Sequence, residues 1–114
     1  MRAVTNPHAL VRLQWFPPSE GGRVPPPVAQ YAATAVFELG GEAEVVPDWP
    51  ASGEHYSVLL DFEADNRAKA EFLAIDQVSE LLVEGAAFLV MEGARAVARA
   101  EVVEAFVERG GEGG

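Results

Sequence analysis

Apolar and polar residues alternate along several short stretches of this chain. In "ALVRLQWF", Ala9 to Phe16, the residues Val11, Leu13 and Trp15 fall on one face, with Arg12 and Gln14 on the other. In "YSVLLDFE" the residues Tyr56, Val58, Leu60 and Phe62 oppose Ser57, Asp61 and Glu63, with Leu59 the exception. A period of two is the pattern of a half-buried strand. "YAATAVFEL", Tyr31 to Leu39, is a weaker strand with three alanines. Between these stretches lie two Gly/Pro-rich connections. One is "PPSEGGRVPPP", with five prolines and two glycines in eleven residues, and the other is "GGEAEVVPDWPASGEH", which carries Trp49. Neither can be helix or central strand. "ADNR" reads as a turn, because Asp and Asn tolerate turn conformations.

From Ala68 the local signal changes. "AKAEFLAIDQVSELLVEG" has helix-forming composition, with Phe72, Ile75, Ser79 and Leu82 near helical spacing, and Gly85 punctuates it. "AAFLVME" is helix or strand by periodicity alone. "MEGARAVARAEVVEAF", Met91 to Phe106, can be read both ways. As a helix, Ala98, Val102, Ala105 and Phe106 form one stripe. As a strand, Ala96, Ala98, Ala100, Val102 and Phe106 share one face, with Arg95, Arg99 and Glu101 on the other. Propensity favours the helix by a few tenths of a kcal/mol per residue, a prior that tertiary pairing overrides.

Composition narrows the class. A chain of 114 residues is one domain, half of it apolar. No cysteine is present, which excludes disulfides and thiolate chemistry. The start of the chain shows no secretion signal, and no apolar run approaches the ~18 residues of a membrane span. These features imply a soluble, cytoplasmic protein that does not enter membranes. Eight Lys+Arg against 18 Asp+Glu give a net charge of −10. The seven arginines and the single Lys69 form no cluster in sequence, so nucleic-acid binding, which rests on neutralised phosphates, is disfavoured. An acidic surface keeps a protein in solution; it also steers basic partners.

The order of motifs carries a resemblance. An alternating strand is followed by Glu20-Gly21-Gly22-Arg23, a proline segment that includes Pro26, and a strand led by Tyr31. Much later come Gly85, Phe88, Glu92-Gly93, Arg95, Val97 and Val102. This order resembles the C-terminal β-barrel domain of elongation factor Tu and its stand-alone bacterial relatives, over about residues 9 to 107. There the first loop reads Glu-Gly-Gly-Arg, and the close reads Arg-Glu-Gly-Gly-Arg-x-Val-Gly-x-Gly-Val-Val. Where the family has Val-Gly-x-Gly, this chain has Val97, Ala98, Arg99 and Ala100. Its paired-glycine turn becomes Gly93-Ala94. The resemblance implies a barrel, packing against other protein domains, and contact with the T-stem of aminoacyl-tRNA. The family's tRNA-contacting positions are matched by Glu92 and Gly93, whereas its Gln in the Tyr-led strand corresponds to Thr34. No GxxxxGK[ST] exists, so no GTPase activity is implied.

Other chemistry finds little support. His8 and His55 show no metal-ligand spacing, and no serine sits in a GxSxG context. Asp61 with Glu63 reads as a solvated strand face. Trp15 reads as core; Trp49, between Pro47 and Pro50, plugs a barrel end or stands as an exposed anchor.

The chain is therefore expected to be all-β: a closed or nearly closed antiparallel barrel of about six strands at 9–16, 29–39, 55–63, 67–75, 86–92 and 95–107. Residues 1–8 are read as an arm and 109–114 as a Gly-rich tail. The expected core is Leu13, Trp15, Phe37, Val58, Leu60, Phe62, Phe72, Phe88, Val90, Val102 and Phe106. The expected function is a non-enzymatic protein-interaction module without cofactor or metal, using Arg23, Trp49, Glu92, Gly93 and Arg95. The alternatives are a tRNA-contacting barrel and a small-molecule-binding barrel or small enzyme. Oligomeric state is not legible. Far-UV circular dichroism separates the two readings of the last segment: a β-rich spectrum is expected, and strong helical minima would refute the barrel.

Overall fold

The computed structural model describes residues 7–20, 29–38, 53–64 and 66–106. Six strands form in chain order: β1 (Ala9–Trp15), β2 (Gln30–Phe37), β3 (Tyr56–Ala64), β4 (Arg67–Phe72), β5 (Ala87–Glu92) and β6 (Arg95–Ala105). A 3-10 turn follows β1 at Pro18–Glu20, and one short helix, α1 (Ile75–Val78), follows β4. The strands close into a barrel in the order β1-β4-β3-β2-β5-β6, and every neighbouring pair is antiparallel. Closure leaves none of the six described strands at a sheet edge.

The final segment is a strand because β6 pairs along both edges. Leu13 and Phe88 both stand opposite Ala100, and Trp15 and Val90 both stand opposite Ala98. Alanine is a weak strand former, but here its small side chain leaves the axis to large neighbours. The axis is filled by two aromatic groups. Phe37, Phe72 and Phe88 lie 5.2–5.8 Å apart by ring centroids near one end. Trp15, Tyr31 and Phe62 lie 6.0–6.4 Å apart near the other. Small residues face them: Ala68 and Ala70 from β4, Ala98 and Ala100 from β6, all fully buried. A second cluster, Val36, Leu89 and Met91 with Phe16 and Ala96 packed on it, lies apart from this core.

The β5–β6 hairpin turns at Gly93, whose φ of 64° is the left-handed region that glycine adopts without strain. Two bulges then decide which β6 side chains point inward. Val90 pairs with Ala98 but Met91 with Ala96, which leaves Val97 as the extra residue. Val11 pairs with Val102 but Leu10 with Glu104, which leaves Val103 extra. Each bulge reverses the inside–outside alternation. Ala96 therefore joins the second cluster rather than the barrel core. Phe106, expected in the core, stands 47% exposed beyond the Val103 bulge, and Ala105 packs against the core in its place.

Strand β4 ends at Phe72 rather than at residue 75, because the chain must leave it. In the strand ring β4 and β5 are three places apart, so residues 73–86 cross the barrel mouth. Helix α1 sits in that crossing and turns Val78 and, four residues on, Leu82 into the core, both fully buried. The barrel end is plugged by these residues. Trp49, the plug suggested by sequence, lies outside the described residues.

Replacing Phe88 by Ala should cost about 3–5 kcal/mol through the cavity it leaves among Phe37 and Phe72. Phe106→Ala should cost under about 1 kcal/mol. Urea denaturation measures both.

Candidate interaction surface

The residues singled out from the sequence fall differently on this barrel. Glu92, Gly93 and Arg95 lie together on the β5–β6 hairpin. Arg23 and Trp49 lie outside the described residues. The strand ends that flank Arg23, Trp15 and Gln30, lie at the hairpin's end of the barrel, whereas those that flank Trp49, Phe37 and Tyr56, lie at the opposite end.

At the hairpin end, the Tyr31 hydroxyl donates to Glu92 Oε2, and Arg95 Nη2 donates to Glu92 Oε1 at 2.9 Å. Glu92 thereby joins the Tyr-led strand to the turn. Tyr31 also makes an edge-on ring contact with Trp15, which is itself half-buried. One rim therefore presents a tryptophan, a tyrosine and an arginine side by side, with Gly93 and Ala94 exposed between the strands. Thr34, where the resembled family has Gln, stands further down β2 and lies 3.2 Å from His55 Nδ1 through its Oγ1.

The basic residues that looked scattered are ordered by the barrel. Arg12 and Arg67 are direct cross-strand neighbours on β1 and β4. Carboxylates hold most of this charge: Arg12 pairs with Glu101, Lys69 with Glu63, and Arg95 with Glu92. Arg99 on β6 reaches across β5 and grips Glu38 through Nε (2.8 Å) and Nη2 (3.0 Å). A two-pronged pair of this kind fixes geometry more firmly than a single contact. These pairs are exposed, so each is worth under about 1 kcal/mol.

His8, read from the sequence as part of an arm, is buried. Its backbone N–H donates to Ala70 O at 2.8 Å, and its carbonyl accepts from Phe106 N–H at 2.9 Å. Its ring Nδ1 accepts the Phe72 N–H at 3.0 Å. The neutral ring thus satisfies a buried amide at the end of β4. Burial pulls the imidazole below its ordinary value, and nearby Glu71 draws it partly back. No simple sequence signal marks this role, since His8 precedes the alternating pattern.

Among the described residues no group of three or more His, Asp or Glu could hold a metal ion, and no helix is long and apolar enough to cross a membrane. No protein-family model, no curated protein and no solved structure matches the chain.

Because the folded His8 binds a proton less readily than the unfolded one, its contribution to stability is whole above the ordinary value of about 6.5. It is lost as the pH falls from there through the lower folded value. Denaturation midpoints measured across that range should drop with pH, and His8→Ala should flatten that part of the curve. The variant should also cost about 1–3 kcal/mol at neutral pH through the unsatisfied Phe72 amide.

Proposed function

We propose that this barrel is a non-enzymatic protein-interaction module that works through its outer surface, with the Glu92–Gly93–Arg95 rim as one contact region. The observation that carries the reading is the filled interior. Two aromatic clusters and the α1 plug occupy the space that a ligand-binding barrel leaves open. Contact is then a matter of surface. The rim that holds Trp15, Tyr31 and Arg95 has the residue types over-represented among energetic hot spots.

The resemblance to the elongation factor Tu barrel supports a second reading, contact with tRNA through the Glu92–Gly93 turn. Two observations favour a protein partner. The net charge is −10, and four of the five described cations, Arg12, Lys69, Arg95 and Arg99, are already held by carboxylates. Phosphate contacts would have to break those pairs.

A photo-reactive residue placed at the exposed Ala94 and activated in cell extract tests both readings. The expected product is a protease-sensitive, nuclease-resistant cross-link that weakens when Arg95 is changed to Glu. A nuclease-sensitive product, lost as salt is raised, would replace the protein reading by the RNA one.

A further inference from the structure

The opposite end of the barrel has a different character. There the residues 73–86 cross the mouth, turning Val78 and Leu82 inward. Outward they leave Leu73 (64% exposed) and Val83 (44%), and the end of β6 adds Val103 (37%) and Phe106 (47%). Hydrogen bonds place these residues at one end. Gly85 N–H donates to Val102 O at 2.9 Å and Val102 N–H to Ala86 O at 2.8 Å, so the turn after Val83 lies against β6 beside Val103. The Phe106 N–H donates to His8 O, and the Phe72 N–H to the His8 ring, so Leu73 and Phe106 leave the barrel on either side of His8.

Single exposed hydrophobes are ordinary; here the four exposed large hydrophobes of the described residues all lie toward one end of the barrel. Its surroundings carry one sign of charge. Asp76, Glu80, Glu84 and Glu104 are exposed, and none takes part in an ion pair among the described residues. The sequence from 70 to 94 contains no Lys, Arg or His. Of the described cations, Arg12, Lys69 and Arg99 stand mid-strand and are paired with Glu101, Glu63 and Glu38, while Arg67 and Arg95 stand at the far ends of β4 and β6.

From this charge complementarity we infer that the α1 end of the barrel docks a basic protein segment that presents apolar side chains between its Lys and Arg residues. Apolar contacts with Leu73, Val83, Val103 and Phe106 supply the binding surface, and the surrounding carboxylates steer and orient the cations. Nucleic acid and anionic lipid share the sign of this face and are repelled. A second copy is also disfavoured, because a two-fold pairing would set these carboxylates against themselves. The surface is separate from the Glu92–Arg95 rim and does not depend on what binds there.

The test is an amide NMR titration of the full chain with an amphipathic lysine–leucine peptide. Shifts are expected in 73–86 and 102–106, and a lysine–serine peptide of equal charge should bind about tenfold more weakly. A glutamate–leucine peptide should not bind. The double change E80K/E84K should weaken the lysine–leucine peptide by about tenfold or more, whereas D61K/E63K, equal in charge but on β3, should leave it unchanged. V83S/F106S, at exposed positions, gives a second route should E80K/E84K not fold. Shifts centred on Glu92–Arg95, equal weakening by both charge reversals, or binding indifferent to V83S/F106S would overturn the inference. So would concentration-dependent self-association of the chain alone through this face.

Discussion

The barrel depends on β6 being paired along both edges. Its backbone meets β1 on one side and β5 on the other, so it is the strand that closes the ring. Without it the amides and carbonyls of β1 and β5 on those edges would face water, and Phe88 would lose the wall opposite it. The same strand sets the bore. Ala98 and Ala100 leave room for the rings of Trp15 and Phe88, as Ala68 and Ala70 do from β4. A narrow barrel can be packed solid only when large residues on some strands meet small ones on others.

Closure also explains the two ends. Two pairs of consecutive strands, β1 with β2 and β4 with β5, stand three places apart in the ring rather than side by side, and the β4–β5 connection crosses the mouth. That connection becomes a lid: α1 is too short to be stable alone and is held because Val78 and the following Leu82 are buried in the barrel core. His8 completes that end by supplying a ring acceptor where β4 runs out of strand partners. At the other end the Gly93 turn, the Tyr31–Glu92–Arg95 chain of hydrogen bonds and Trp15 form a rim of mixed character. Exposed carboxylates Asp76, Glu80 and Glu84 stand on the lid, while four of the five described cations are neutralised by carboxylates along the strands. The proposed interaction module rests on the filled interior.

Much of the architecture was legible in the residues. All six strands lie within a few positions of the expected spans. Only those of β1, β2 and β3 rest on alternation and Gly/Pro breaks, which are local properties. Those of β4, β5 and β6, helix-like or ambiguous by composition, are expected from the resemblance. Tyr56, Val58, Leu60 and Phe62 share the inner face as their spacing requires, and Val11, Leu13 and Trp15 do likewise. The errors have specific causes. Phe106 and Ala96 were misplaced because a bulge adds one residue to one strand, and neither Val103 nor Val97 announces itself as the extra one. Residues 73–75 are expected at the end of a strand although helical spacing runs through Phe72 and Ile75, and the structure ends β4 at Phe72. Nothing local says that the chain must cross a barrel mouth there.

The candidate contact residues show the same division. Glu92, Gly93 and Arg95 were legible because a turn glycine between a Glu and an Arg is a short-range pattern. That Tyr31 bonds Glu92, that Arg12 faces Arg67, and that Phe106 joins Leu73 and Val83 at an acidic end are facts of register between distant strands. The amino-acid order alone determined where β1, β2 and β3 lie, which of their faces are apolar, and that the net charge is −10. Only the closed sheet decided whether Met91 to Phe106 would coil or extend, since local propensity differs by tenths of a kcal/mol per residue while two edges of backbone hydrogen bonds and a buried Phe88 outweigh it.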